Sequence, residues 1–353
     1  PRSTPLYSSA ASDVYKRQEL LSIRKCYTYS VSFQANYERK IMLAINYSKG
    51  KVNKLDVSKP KGEGVLVNIS TCGICGTDMH LLHSGMHLPH IAGHEISGFL
   101  QDGTPVAIEP LNYCGSCAEC KQGKYNLCSS EEFDILGATT DGGMTEKMLV
   151  PDHCLVALDK NMDLKNSSLV EPIAVAVHGY KITNTKSEHR VAVVGGGSIG
   201  QCAVVTAYWM GCEVDLFARY DHQKEAAEIW GANEPKGEYD RVVDTVGNPD
   251  ALAKCVELLK PGGKVIGLAA GWEDIILPGL GILNKEGSFY TSRIYDASGD
   301  NGRDIDNAAR ILFENPEFGN KVITHRFPLD AAEELSLIHI SEPTRRTPIS
   351  YAV

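Results

Sequence analysis

Four cysteines within fifteen residues, Cys114, Cys117, Cys120 and Cys128, set the tightest constraint on how this chain can fold. Their spacing is C-x2-C-x2-C-x7-C, with Gly115, Gly123 and Asn126 between them. Four thiolates on so tight a loop can close a tetrahedral shell around zinc and leave no position for a substrate. Such a site is structural, pinning a lobe that has little core of its own. Two other readings exist: unligated surface thiols, which would oxidise at this density, and an iron–sulfur cluster. Eleven cysteines in 353 residues, clustered in this way, suit a metal in a reducing compartment better than a disulfide framework.

The length fits two domains, each able to bury a core. A net charge of -9 disfavours nucleic acid or an anionic membrane as partner, because phosphate binding needs clustered Lys and Arg. No apolar run approaches the roughly 18–20 residues that span a bilayer. No signal peptide is legible, so the expected location is the cytoplasm.

Both ends stand apart from the rest. Asp13-Val14-Tyr15-Lys16-Arg17-Gln18 can be encoded by GAT GTG TAT AAG AGA CAG. The reverse complement of that string reads Leu-Ser-Leu-Ile-His-Ile, which stands at Leu335 to Ile340. The two segments resemble translated transposase-type sequencing adaptors; the alternative is a pair of disordered tails. Residues 1–18 and 335–353 are therefore set aside from fold reasoning. The natural start is expected at Met42, after a basic stretch whose one acid is Glu38 and which would suit a transit peptide. The natural chain is expected to run on past Glu334 into a closing strand and helix.

From Met42 to His178 short apolar runs such as 65–69 and 105–108 alternate with Gly, Pro, Asn and Asp clusters, the pattern of an antiparallel, barrel-like domain. From Arg190 onward the pattern changes to strands (191–194, 213–218, 241–246, 264–268) alternating with helices (198–210, 221–230, 251–259). Repeated βα units imply a parallel sheet with right-handed crossovers. The expected division is 42–178 for the first domain, 179–294 for the second, and 295–334 returning to the first.

Two motifs carry chemistry. Cys72-Gly73-Ile74-Cys75-Gly76-Thr77-Asp78-Met79-His80 follows a strand, and Gly93-His94-Glu95 comes after the next turn. A catalytic zinc needs about three mixed S, N and O ligands and one exchangeable position; Cys75 and His94 offer the thiolate and the imidazole. Gly195-Gly196-Gly197-Ser198-Ile199-Gly200 matches G-x-G-x-x-G between a strand and a helix, where glycines admit a pyrophosphate to the helix start.

In this order, CGICGTDMH, GHE, the four-cysteine loop and the glycine motif resemble the zinc-dependent medium-chain dehydrogenases, over roughly Met42 to Glu334. Leu169-Val170-Glu171-Pro172 looks like the polyol and threonine dehydrogenase branches. The resemblance implies a mainly β, GroES-like catalytic domain joined to a doubly wound Rossmann domain. It implies Cys75 and His94 as zinc ligands, Glu95 and Glu171 as the two candidate carboxylates near the metal, and Asp78 as the acceptor that holds the His94 imidazole. Zinc would lower the pKa of a bound alcohol, hydride would pass to the nicotinamide, and the proton would leave by Thr77 and then His80.

For the cofactor, the position that normally carries a ribose-binding acid is Ala218, and Arg219 follows it. A guanidinium can pair bidentately with a 2′-phosphate, so NADP is favoured over NAD, with Tyr220 placed to stack on adenine. The other reading has Arg219 as a solvated turn residue and Asp221 on the ribose. Thr245, Leu268 and Ser292 fall in segments that resemble the nucleotide and nicotinamide lining. The expected activity is oxidation of a secondary alcohol, polyol or amino alcohol by a homo-oligomer; the alternative is a non-catalytic zinc-binding relative. Substrate choice would lie in residues 81–90 and 133–140 and in the closing segment expected beyond Glu334.

Overall fold

The computed structural model describes residues 41–270, 274–332 and 349–352, the last four by their backbone, and these pack as one compact unit. Residues 1–18, 20–40 and 334–348, on which the expectations about the two ends rest, lie outside the described residues.

The chain opens with an antiparallel hairpin of β1 (Ile41–Ser48) and β2 (Lys51–Ser58), in which Lys51–Ser58 alternates between covered and open side chains with period two. Then follow β3 (Val65–Ile74), the helix Gly76–His83, β4 (Glu95–Phe99) and β5 (Pro105–Ile108). The four-cysteine region is framed by the short ladder of β6 (Leu111–Asn112) and β7 (Asp134–Ile135). β8 (Lys147–Val150) and β9 (Leu155–Ala157) return to the large sheet, where β8 pairs with β3 and β9 with β5. Val67, Ile69, Ile96, Ile108, Met144 and Val150 fill the inside of this curled sheet.

The second half is a parallel sheet. β10 (Arg190–Val194), β11 (Glu213–Phe217), β12 (Tyr239–Asp244), β13 (Leu259–Gly267) and β14 (Ser288–Thr291) stand in the order β11-β10-β12-β13-β14. Val191 to Val194 are buried on both faces, as a strand covered by helices on each side must be. The fold is the expected one, α/β with an antiparallel first part and a doubly wound second part. Beyond β11, residues 231–235 form no strand: one backbone bond reaches them, from the Leu216 amide to the Asn233 carbonyl at 2.8 Å, and Pro235 has no amide to continue a ladder.

Three boundaries differ from the sequence reading. β13 begins at Leu259, a residue expected to end a helix, because Leu259 pairs with Tyr239 before the Pro-Gly-Gly turn distorts the register. The expected division at 178/179 falls inside the helix Val170–Ile182, whose buried residues belong to one apolar cluster running from Ala107 and Val156 through to Val191 and Val193. Pro172 sits in its first turn, where no amide donor is lost. Finally, Ile349–Ala352, within the tail set aside as adaptor-derived, forms β16, parallel to β15 (His325–Pro328) and antiparallel to β3. Backbone pairing needs no particular side chain, and these four residues take the sheet position between β3 and β15.

After β14 the helix Asp304–Glu314 lays Ile305, Ala308, Ala309, Ile311 and Leu312 on the helix Val170–Ile182. That spacing is one helix face, and each full-size apolar side chain buried there contributes about 1.5–3 kcal/mol. Among the described residues no helix is long and apolar enough to cross a membrane.

Candidate metal and nucleotide sites

The four-cysteine loop brings its sulfurs together. Cys114 Sγ lies 3.6 Å from Cys128 Sγ and 4.0 Å from Cys120 Sγ, and Cys117 Sγ lies 3.9 Å from Cys128 Sγ. Disulfide sulfurs would be about 2.0 Å apart, whereas thiolates at roughly 2.3 Å from a tetrahedral zinc sit about 3.8 Å apart. The amides of Ser116 (3.5 Å) and Cys117 (3.4 Å) donate to Cys114 Sγ, and the Cys120 amide donates to Cys117 Sγ at 3.5 Å. Hydrogen bonds from the Ser116 hydroxyl and from these amides hold the Cys114 thiol down at about 6. Burial, with neighbouring thiols, pushes Cys120 up to about 12. Cys114 gives up its proton readily and Cys120 needs a cation to do so, which is how a thiolate metal site couples binding to proton release. The helix Ala118–Lys121 buries no residue, so that side of the lobe is organised around the donors, while Tyr125 and Asn126 are buried on the other.

The second cluster forms where β3 ends. Cys75 caps the helix Gly76–His83, and its amide donates to Asp78 Oδ2 at 2.9 Å. His94 and Glu95 arrive from the turn into β4, and the ligand atoms of Cys75, His94 and Glu95 lie within 4.8 Å of one another. Glu95 rests over Gly73, where a methyl group would collide with its carboxylate. Glu171, buried at the start of its helix, is close enough for its charge to act on both His94 and Glu95. Burial and then the Glu171 charge push Glu95 up to about 8; burial also raises Glu171 and Cys75. Burial alone would lower His94, but Asp78 and Cys75 outweigh it and hold the imidazole well above its usual range. Two carboxylates, a thiol and an imidazole in one dry site compete for protons until a cation joins them.

The expectation for Asp78 changes in detail. Its Oδ1 is 3.9 Å from His94 Nδ1, too far for a hydrogen bond, and both atoms are buried with no hydrogen-bond partner. Asp78 therefore braces the Cys75 amide first and offers His94 a charge. Thr77 is half-buried beside Cys75, and His80 lies three residues on at the exposed surface of the same helix.

At the nucleotide motif, Gly195 has φ +106°, a backbone state that side chains disfavour, and Gly197 starts the helix Ser198–Trp209 with no side-chain cap. A Cβ on Gly200 would land on the Gly195 carbonyl, and one on Gly196 would lie 2.7 Å from Ala218 Cβ. Ser198 and Ile199 are half-buried in the first turn. The loop lies between β10 and β12, where the strand order switches direction and ligands bind in such sheets. Arg219 is exposed and makes no ion pair or hydrogen bond among the described residues, and the Tyr220 and His222 rings stack at 5.7 Å beside it.

Three residues expected along the nucleotide lining have partners within the chain or none. The Thr245 hydroxyl donates to the carbonyls of Val194 (3.0 Å) and Gly195 (3.1 Å), so it shapes the glycine turn. Leu268 is buried against Gly179, and its amide donates to the Asp244 carbonyl at 2.9 Å. The Ser292 hydroxyl is buried and unpartnered, and its amide donates to Gly267. Sequence reasoning missed Tyr295, whose buried hydroxyl has no hydrogen-bond partner and feels the Glu171 charge, because it stands 124 residues away with no motif around it.

Residues 61–160 match the family of alcohol dehydrogenase GroES-like domains. A 2-dehydro-3-deoxy-L-galactonate 5-dehydrogenase of Pseudoalteromonas atlantica is 33% identical over 186 residues, 49% of this chain and 54% of that protein, about half its length. The D-xylulose reductase A of Aspergillus oryzae is 30% identical over 262 residues, 63% of this chain and 72% of that protein. Among solved structures, a zinc-binding dehydrogenase of Sinorhizobium meliloti bound to NADP superposes with a TM-score of 0.77 at 26% identity, covering 89% of this chain and all of that one.

Proposed function

The chain belongs to the zinc-type alcohol dehydrogenase family of medium-chain dehydrogenases, and from that premise we propose that it oxidises a secondary hydroxyl of a polyol or sugar-acid-like substrate with NADP. The convergence of Cys75, His94 and Glu95 on one point, with Glu171 beside them, carries the reading. One thiol, one imidazole with an orphaned buried nitrogen and two carboxylates fit a zinc ion, and the glycine cradle at 195–200 fits a pyrophosphate. When bound, zinc would supply a Lewis acid that makes the alcohol acidic, and the nicotinamide would accept hydride. Cys75 and His94 hold the metal, Glu95 and Glu171 share the remaining place, and Asp78 keeps the loop under Cys75 fixed. The four cysteines of 114–128 hold a second, structural zinc.

Thr77 and His80 carry the proton out. They are three residues apart on one helix, hence neighbours on one face, the first half-buried beside Cys75 and the second exposed. Relatives that act on D-xylulose and on a deoxygalactonate support a polyhydroxylated substrate. NADP follows from Ala218, whose methyl group leaves no acid for a 2′-hydroxyl, and from the unpaired Arg219 beside it. The test compares kcat/KM for NADP and NAD across polyols, sugar acids and threonine, with and without Arg219→Ala. The expected outcome is a preference for NADP that falls at least tenfold in the variant while turnover with NAD holds. A wild-type preference for NAD would overturn the cofactor assignment, and no turnover with any alcohol would overturn the activity.

A further inference from the structure

His178, Asp296 and Asp304 offer ligand atoms within 4.8 Å of one another, all buried, a donor set that could pass for another metal site. The cation position is already filled. Lys181 Nζ lies 2.7 Å from Asp304 Oδ1 and pairs with Asp296 as well. What these residues build is a link between distant parts of the chain. His178 Nδ1 is 2.9 Å from Asp304 Oδ2, an acceptor, so Nδ1 carries the proton and Nε2 is left to accept. Asn126 supplies the donor: its Nδ2 lies 3.4 Å from His178 Nε2 and 2.7 Å from the Arg293 carbonyl. The Arg293 guanidinium returns a bond to the Asn126 carbonyl, and Asp304 Oδ2 accepts from the Asp296 amide at 3.0 Å.

Each end of this link reaches something functional. Asn126 is buried two residues before Cys128, on the loop framed by the four sulfurs. His178 stands seven residues, two helical turns, after Glu171 on the same helix. The 293–296 segment carries Tyr295, whose buried hydroxyl has no hydrogen-bond partner and is near enough to Glu171 for the two groups to act on each other's ionisation. We propose that Asn126 is a positioning residue: it fixes Glu171 and Tyr295 to the four-cysteine loop, through His178 on one side and the Arg293 carbonyl on the other. This rests on Glu171 being a carboxylate of the reacting site. Without the Asn126 amide, His178 Nε2 and the Arg293 carbonyl are buried with no donor, and the helix and the 293–296 segment lose their common reference.

Asn126→Asp keeps the volume and removes both donations. His178→Asn keeps a donor toward Asp304 and removes the acceptor. Gln122→Ala is the control, an exposed residue of the same lobe whose side chain donates only to the Ala118 carbonyl, at 3.2 Å. In the zinc-loaded protein, both link variants should keep the wild-type KM for the nicotinamide cofactor and lose about tenfold in kcat. They should also release one zinc per chain to a colorimetric chelator about tenfold faster, the other zinc leaving at the wild-type rate. Gln122→Ala should match wild type in all three. Turnover and zinc release within twofold of wild type in the link variants would overturn the proposal. So would faster release of both zincs together, or failure of both link variants to fold, since either makes the link merely structural. If the wild-type chain oxidises no alcohol, the dehydrogenase reading fails separately, and the two zinc-release rates still decide this one.

Discussion

Gly200 has no room for a side chain: three residues along the helix from its cap, Gly197, it lies under the Gly195 carbonyl. The turn 195–197 folds the Gly195 carbonyl back over the Gly200 Cα, and the Thr245 hydroxyl fixes that carbonyl from β12. Gly200→Ala must push the carbonyl away and distort the cradle. Overpacking of this kind costs about 1–3 kcal/mol; the affinity for the nicotinamide cofactor, measured by calorimetric titration, should weaken about tenfold or more. An unchanged affinity would mean that the turn does not shape the site. The glycine motif was legible because its chemistry is local: each glycine answers to a neighbour within a few residues or on the adjacent strand. The bonds from the Thr245 hydroxyl to the turn were not, since they join it to carbonyls 50 and 51 positions away. Nor was the Asp78 contact, which a one-dimensional pattern assigns to His94 although the nearest donor is the Cys75 amide.

At the scale of elements, the four-cysteine lobe is held on one side by its donors, where the helix Ala118–Lys121 buries nothing, and on the other by the buried Tyr125 and Asn126. Cys120→Ser should therefore leave the parallel sheet folded and cofactor-competent while the lobe loosens. Lys121 and Lys124 are exposed on that lobe, so limited trypsin digestion should cut the variant there at least tenfold faster than wild type. Equal rates of cleavage would show that the lobe holds without its full sulfur set. Elements with regular periods were readable in advance: the strands at 191–194 and 213–217 and the helix after the glycine motif fall where the pattern put them. The helix Val170–Ile182 was not readable, because it is apolar nearly all round. It packs on both sheets, so its sequence has no polar face to mark a boundary. Tyr295, Asn126 and His178 were invisible for another reason: their contacts join residues 52 to 167 positions apart, and no spacing rule reaches that far.

For the molecule as a whole, Glu109 ties three regions into one unit and makes that tie sensitive to pH. Its carboxylate is fully buried, hydrogen-bonded by the Tyr125 hydroxyl from the cysteine lobe, and lies 3.2 Å from the guanidinium of Arg303 at the start of the helix Asp304–Glu314. Arg303 in turn donates to the carbonyls of His153 and Leu155, each at 3.0 Å, and so holds β9. Burial outweighs both partners and pushes the Glu109 carboxyl up from 4.5 to about 7. A carboxyl whose folded pKa is raised binds its proton more tightly in the folded chain. Its contribution is therefore fully present below about pH 4.5 and is lost as pH rises through about 7. Across that window the loss is on the order of 3 kcal/mol. Glu109→Gln keeps an acceptor for Tyr125 and cannot ionise, so it should be less affected by the same rise. Both proteins carry the same metal donors, and the difference between their unfolding free energies isolates this one group. In urea unfolding at pH 4.5 and pH 8, the stability of wild type relative to Glu109→Gln should fall by about that amount. A difference that stays flat with pH would mean that Arg303 already keeps Glu109 ionised, and that the tie between lobe, strand and helix is a plain ion pair.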